Sequence, residues 1–194
     1  MKISFTNKIK ENYHLVLIGP RIVNLNKNVH LDNNSLETIN AFLKENKDSK
    51  EIIQTFYFSP SKKLKSLTLV QSNININSTE QQALGGRVLS YLERIKVADV
   101  SLSFLEIETA KQTNFIKSFT SGLFLKDYRF EKYKNFSKKD FKIKNLNLLN
   151  INQKINKGLV EDINNLNGIF LTRDLVSEPA NIPYPEKFVE FCDI

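Results

Sequence analysis

Glu106 and Glu108 lie two residues apart at the end of an apolar run. That spacing turns both carboxylates to one side of a strand, where they could hold a hard cation; a solvated strand end is the plainer reading. Gly85-Gly86-Arg87 stands near an expected helix start, whose free amides could contact a phosphate. Without a preceding strand and a fuller glycine pattern, the plainer role is close packing of a helix on a sheet. In residues 128–144, Tyr128, Phe130, Tyr133, Phe136 and Phe141 are interleaved with Arg129, Lys132, Lys134, Lys138, Lys139, Lys142 and Lys144. Rings that stack bases and cations that meet phosphates are what a nucleic-acid surface needs, with Lys132, Lys134, Lys138, Lys139 and Lys142 as the candidate contacts. Against it stands a reading in which the rings pack on the domain and the lysines are solvated.

The other reactive side chains are scattered. His14 and His30 lie in unrelated segments without acidic neighbours at ligand spacing, and no His-Glu-x-x-His pair is present. Cys192 is the single cysteine, so no intrachain disulfide forms, in keeping with a reducing compartment. With no organised partner in sequence, it reads as a small apolar residue on a helix. The 194 residues suffice for one core plus an appendage. No apolar run approaches the roughly 18 residues that cross a bilayer, and Met-Lys-Ile-Ser-Phe-Thr-Asn-Lys lacks a signal peptide's apolar centre, so the chain reads as cytoplasmic with no membrane partner. A formal charge of +7 suits an anionic partner, yet the lysines are spread along the whole chain.

The elements that would position these groups follow from periodicity. Residues 14–19 read as a strand closed by Gly19 and Pro20. Ser35 could cap a helix with Leu36, Ile39 and Leu43 at helical spacing. Residues 52–59 and 65–71 read as adjacent strands around Ser59-Pro60-Ser61. Ser78 or Thr79 would cap a helix with Leu84, Val88, Leu92 and Ile95 on one face, and residues 97–107 follow as a buried strand. Thr109 or Thr113 opens a helix with Ile116, Phe119 and Leu123 inward, ending near Lys126-Asp127; residues 141–151 form a last strand. Strand and helix alternate, which implies an α/β fold: a mixed sheet flanked by helices on both faces. From 154 to 176, Ile155, Leu159, Ile163, Leu166 and Phe170 recur every three or four residues, a helix of roughly 35 Å that suits a strut between domains. Glu178-Pro179 stops it, and Pro185 with Glu186 can start another.

Three segments carry a family resemblance. Phe-Thr-Ser-Gly-Leu-Phe-Leu-Lys-Asp-Tyr-Arg-Phe-Glu-Lys-Tyr-Lys, residues 119–134, resembles the Gly-Leu-x-Leu-x-x-Tyr-x-Phe-x-x-Tyr-Lys pattern of the M17 leucyl aminopeptidases. Residues 171–188, with Arg-Asp-Leu-Val and Pro-Ala-Asn in order, are similar to that family's junction between its two domains; Tyr184 stands where a Thr cap is usual. Residues 83–101 are similar to its Gly-Gly helix and following strand. The resemblance implies a macro-domain-like N-terminal α/β domain at 1–152, a connecting helix at 153–177 and the start of a truncated catalytic domain at 178–194. It further implies that two divalent metal ions (zinc, manganese, magnesium or cobalt), the catalytic residues and peptide hydrolysis belong to a catalytic domain whose Asn-Thr-Asp-Ala-Glu-Gly-Arg segment has no counterpart here. The implied partners are that catalytic domain and the neighbouring subunits of a homo-hexamer, and the implied role is non-catalytic, in assembly and active-site access. Two other readings stay open: a stand-alone macro-type nucleotide-binding module, and a nucleic-acid module using residues 128–144. Phe188, Val189 and Phe191 form an apolar cluster expected to project from the domain.

Overall fold

The computed structural model describes residues 1–6, 13–19, 25, 33–49, 51–58, 64–73, 75–105, 109–133, 141–179, 181–182, 186–187 and 189, without the side chains of 109–112. Within them, β1 (Lys2–Thr6), β2 (Tyr13–Gly19), α1 (Asn33–Glu45), β3 (Ile52–Tyr57), β4 (Leu64–Gln71), α2 (Ser78–Arg94), β5 (Asp99–Phe104), α3 (Thr109–Asp127), β6 (Asn145–Leu149) and α4 (Gln153–Ser177) follow one another. The strands form one mixed sheet in the order β1-β6-β5-β2-β4-β3. Every neighbouring pair is parallel except β3 with β4, the hairpin that residues 52–71 predict.

Strand burial follows position in the sheet. All seven residues of β2 are buried, as a central strand covered on both faces requires, whereas the edge strands β1 and β3 are only partly covered. On one face Val16, Ile18, Val70, Val100, Leu102, Leu146 and Leu148 meet α2, α3 and the first turns of α4. On the other, Leu15, Leu17, Leu67 and Leu69 meet Leu36, Ile39 and Leu43 of α1. The helical spacing read from sequence therefore selects the correct inward faces.

Several boundaries differ from the sequence reading. Ser35 lies inside α1, which begins at Asn33. The cap of α2 is Asn77 rather than Ser78 or Thr79: its side chain accepts from the Glu80 amide at 2.9 Å, and the Glu80 carboxylate accepts from the Asn77 amide at 3.3 Å. A reciprocal pair of this kind satisfies two amides at once, which a lone hydroxyl at the next residue does not. Asn77→Ala is expected to lower stability by about 1 kcal/mol, read as a drop in the urea midpoint. The strands β5 and β6 are shorter than expected, and β1 escaped the sequence reading although Ile3 and Phe5 alternate with polar residues. It is held by parallel pairing with β6 from Lys2↔Asn145 to Thr6↔Leu149. No helix among the described residues is long and apolar enough to cross a membrane.

Candidate functional site

Gly85 and Gly86 lie well inside α2, so their amides belong to the helix ladder and the phosphate reading of this glycine pair is corrected. The glycines serve a helix crossing instead. A Cβ added at Gly85 would sit 2.1 Å from the Phe119 carbonyl oxygen of α3, and one at Gly122 would sit 2.0 Å from the Gln82 carbonyl oxygen of α2. The packing partner is thus another helix, not the sheet. Arg87 turns outward and grips Glu51, with Nη2 to Oε2 at 2.7 Å and Nε to Oε1 at 3.2 Å.

His14 is buried in the sheet, on the face that carries Val16 and Ile18. Its Nδ1 lies 2.6 Å from Ser66 Oγ and its Nε2 lies 2.8 Å from Thr68 Oγ1, which in turn lies 2.6 Å from Thr55 Oγ1. Burial, with the positive charge of Lys65 adding to it, pushes the imidazole down to about 4, so the ring is neutral near pH 7. A neutral ring donates through one nitrogen and accepts through the other, and hydroxyls can complement either tautomer. Among the described residues no acid pairs with the ring, and His14, Ser66 and Thr68 are all buried, so this cluster is a satisfied polar core. Serine and threonine two apart on β4 were its legible signal; the contribution of β3 was not.

The richest polar assembly joins residues 128–133 to the last turns of α4. Tyr128 stacks on Phe170 with ring centroids 5.1 Å apart, and its hydroxyl donates to Asp174 Oδ1 at 2.7 Å. Arg173 lies over the Tyr128 ring at 5.4 Å. Lys132 Nζ reaches Glu178 Oε1 at 2.6 Å, while the Tyr133 hydroxyl donates to the other carboxylate oxygen of the same residue. These hydrogen bonds hold the Glu178 carboxyl below its ordinary range, Lys132 foremost, and Glu178 is the C-cap of α4, immediately before Pro179. Behind this contact Arg129 binds Glu93 through Nη2 at 2.7 and 2.8 Å; burial pushes the Glu93 carboxyl up, with the guanidinium pulling against it. A cleft of about 310 Å³ remains, with Phe130, Leu171 and Leu175 among its walls.

The five lysines proposed to touch nucleic acid do not form a described surface. Lys132 is paired with Glu178 and Lys142 with Glu131 at 2.7 Å, while Lys134, Lys138 and Lys139 lie outside the described residues. His30, Glu106, Glu108, Phe188, Phe191 and Cys192 also lie outside them. Val189 is 58% exposed. Among the described residues no three His, Cys, Asp or Glu side chains converge.

No family model matches the chain. Curated relatives do: it is 29% identical over 120 residues to the probable cytosol aminopeptidase of Rickettsia canadensis, covering 59% of this chain and 24% of that protein. It is 32% identical over 114 residues to the cytosol aminopeptidase of Rickettsia prowazekii, covering 56% and 23%, and 33% identical over 106 residues to the probable cytosol aminopeptidase of Clostridium perfringens, covering 52% and 22%. The chain spans about a quarter of the length of the curated relatives it matches. In fold it is similar to a tomato leucine aminopeptidase variant, with TM-score 0.68 and 17% identity over 98% of this chain and 41% of that one. It is also similar to the bottromycin maturation enzyme BotP in complex with manganese, with TM-score 0.58 and 12% identity over 91% and 34%. The class is therefore an α/β domain with the leucine aminopeptidase fold. More particularly, the relatives in sequence and the neighbours in fold support an N-terminal domain of the M17 type.

Proposed function

We propose that the chain is the non-catalytic N-terminal domain of a cytosolic leucyl aminopeptidase, and that its task is to seat the helix leading to the catalytic portion. What supports this is the meeting of two motifs that lie 46 residues apart in sequence. Tyr128 and Tyr133 belong to the pattern at 119–134, whereas Arg173, Asp174 and Glu178 lie in the junction segment; Tyr128 meets Arg173 and Asp174, and Tyr133 meets Glu178. Gly122 of the same pattern sets the α2–α3 crossing that carries the assembly. A carboxylate held at the helix end by an ammonium and a phenol, beside a stacked ring pair, fixes the angle at which the chain leaves α4. In the whole protein, two divalent metal ions and peptide hydrolysis would reside in the catalytic portion. A homo-hexamer would bring neighbouring subunits against this domain and limit access to the active sites.

Two measurements test the proposal. The 194-residue chain should release no leucine from a chromogenic amide with manganese or zinc added, and robust metal-dependent turnover would place chemistry in this chain after all. Tyr128→Ala should speed amide exchange in the last turns of α4 by about tenfold while α2 and β2 stay protected. Unchanged exchange at α4 would remove the seating role. Heat released on titration with ADP-ribose would favour the macro-type module instead.

A further inference from the structure

A groove of about 590 Å³ lies along the outer face of α2, with Ile53 of β3, Ala83 and Tyr91 along it and Arg87, Arg94 and Lys126 beside them. Glu51 answers Arg87. The acids next to the other two cations are committed elsewhere: Glu93 to Arg129, and Asp127 to the Met1 ammonium at 3.0 Å. Arg94 lies over the Tyr91 ring at 5.1 Å, and among the described residues neither it nor Lys126 has an ion pair. The helix that carries the groove is rigidly seated, since Leu84, Val88 and Leu92 are buried beneath it and Gly85 is locked against α3. Little ordering would therefore be lost on filling it.

We propose that this groove docks an acidic peptide segment of a partner protein, one that presents apolar side chains along one face of a helix. The apolar stretch asks for such side chains, and Arg94 and Lys126, which line it without an ion pair among the described residues, ask for acids. A nucleic-acid strand fits less well, because the Tyr91 ring on which a base would stack is occupied by Arg94. The acids beside the groove, Glu51, Glu93 and Asp127, already hold Arg87, Arg129 and the Met1 ammonium, so the acids that answer Arg94 and Lys126 come from another protein. The groove is distinct from the α4 contacts, so its failure would leave the seating role standing.

The test is fluorescence anisotropy of the whole chain with a labelled peptide of glutamates carrying leucine at helical spacing, at low and high salt. Saturable binding is expected, weakened about tenfold by Arg94→Glu combined with Lys126→Glu and also by Ala83→Glu. Ala83 is exposed on the helix and its replacement leaves every cation in place, so loss of binding there cannot be assigned to misfolding once the melting temperature is shown to be unchanged. Absence of binding, equal binding by a peptide with glutamine in place of leucine, indifference to both variants, or equally tight binding of single-stranded DNA would each overturn the proposal.

Discussion

Replacing Gly122 with alanine is expected to destabilise the domain by about 2 kcal/mol, although the same change in an ordinary helix helps. Two effects oppose each other. Alanine gains roughly 1 kcal/mol over glycine in a helix interior through reduced chain entropy. The new methyl, however, would stand 2.0 Å from the Gln82 carbonyl oxygen and 2.6 Å from the carbonyl carbon of that residue. Those atoms are backbone within α2, so relief requires the two helices to separate along a contact lined by Leu84, Val88, Phe119 and Leu123, all at most 1% exposed. Overpacking of this kind costs about 1–3 kcal/mol and sometimes more, and it outweighs the propensity gain. Gly168 of α4 supplies the control, since nothing lies within 4 Å of its added methyl. Gly168→Ala should raise the melting temperature by roughly 2–4 °C while Gly122→Ala lowers it by about 6 °C. Equal melting of the two variants would remove the close crossing as an explanation for these glycines.

The second large effect is a loss of stability in mild acid traced to His14. Its folded-state value is depressed to about 4 against 6.5 for the free side chain, so below pH 6.5 the unfolded chain takes up a proton that the folded chain refuses. The contribution is therefore constant above pH 6.5, is lost as pH falls from 6.5 toward 4, and levels off below that. Between pH 7.5 and 4.5 this amounts to about 2.5 kcal/mol. Urea unfolding at the two pH values measures it, with His14→Gln as the reference that keeps a polar side chain but cannot titrate. A variant with the same pH dependence as the parent would mean that the imidazole takes up its proton equally in the folded and unfolded chain. The hydroxyls of Ser66 and Thr68 make the site costly to empty, because both lose their imidazole partner in a buried setting and Thr68 keeps only Thr55.

The helices were largely legible because a helix face is written locally. Leu36, Ile39 and Leu43 of α1, and Leu84, Val88 and Leu92 of α2, are buried as their spacing predicts. In α4, Ile155, Leu159 and Leu166 are buried, whereas Ile163 and Phe170 are only partly covered. Val160, Ile169, Leu171 and Val176 remain between 40% and 81% exposed, which periodicity alone did not foretell. The candidate site was half legible: the aromatic and basic residues of 128–133 stood out, with rings packed on the domain as the plainer reading and a nucleic-acid surface as the other, but their partners on α4, Phe170, Asp174 and Glu178, did not. A list of rings and cations does not say which acids will answer them.

From its sequence alone this chain determined an alternating α/β order, the inward faces of its helices, the hairpin of β3 and β4, and the stop of α4 at Glu178-Pro179. Each depends on residues a few positions apart. Only the tertiary structure decided that β6 is inserted between β1 and β5, that Gly85 and Gly122 let two helices touch, and that Glu178 closes on Lys132 and Tyr133. Those outcomes join residues separated by tens of positions. A local pattern fixes which way a side chain points, whereas its partner is chosen by how whole elements pack to bury both faces of the sheet.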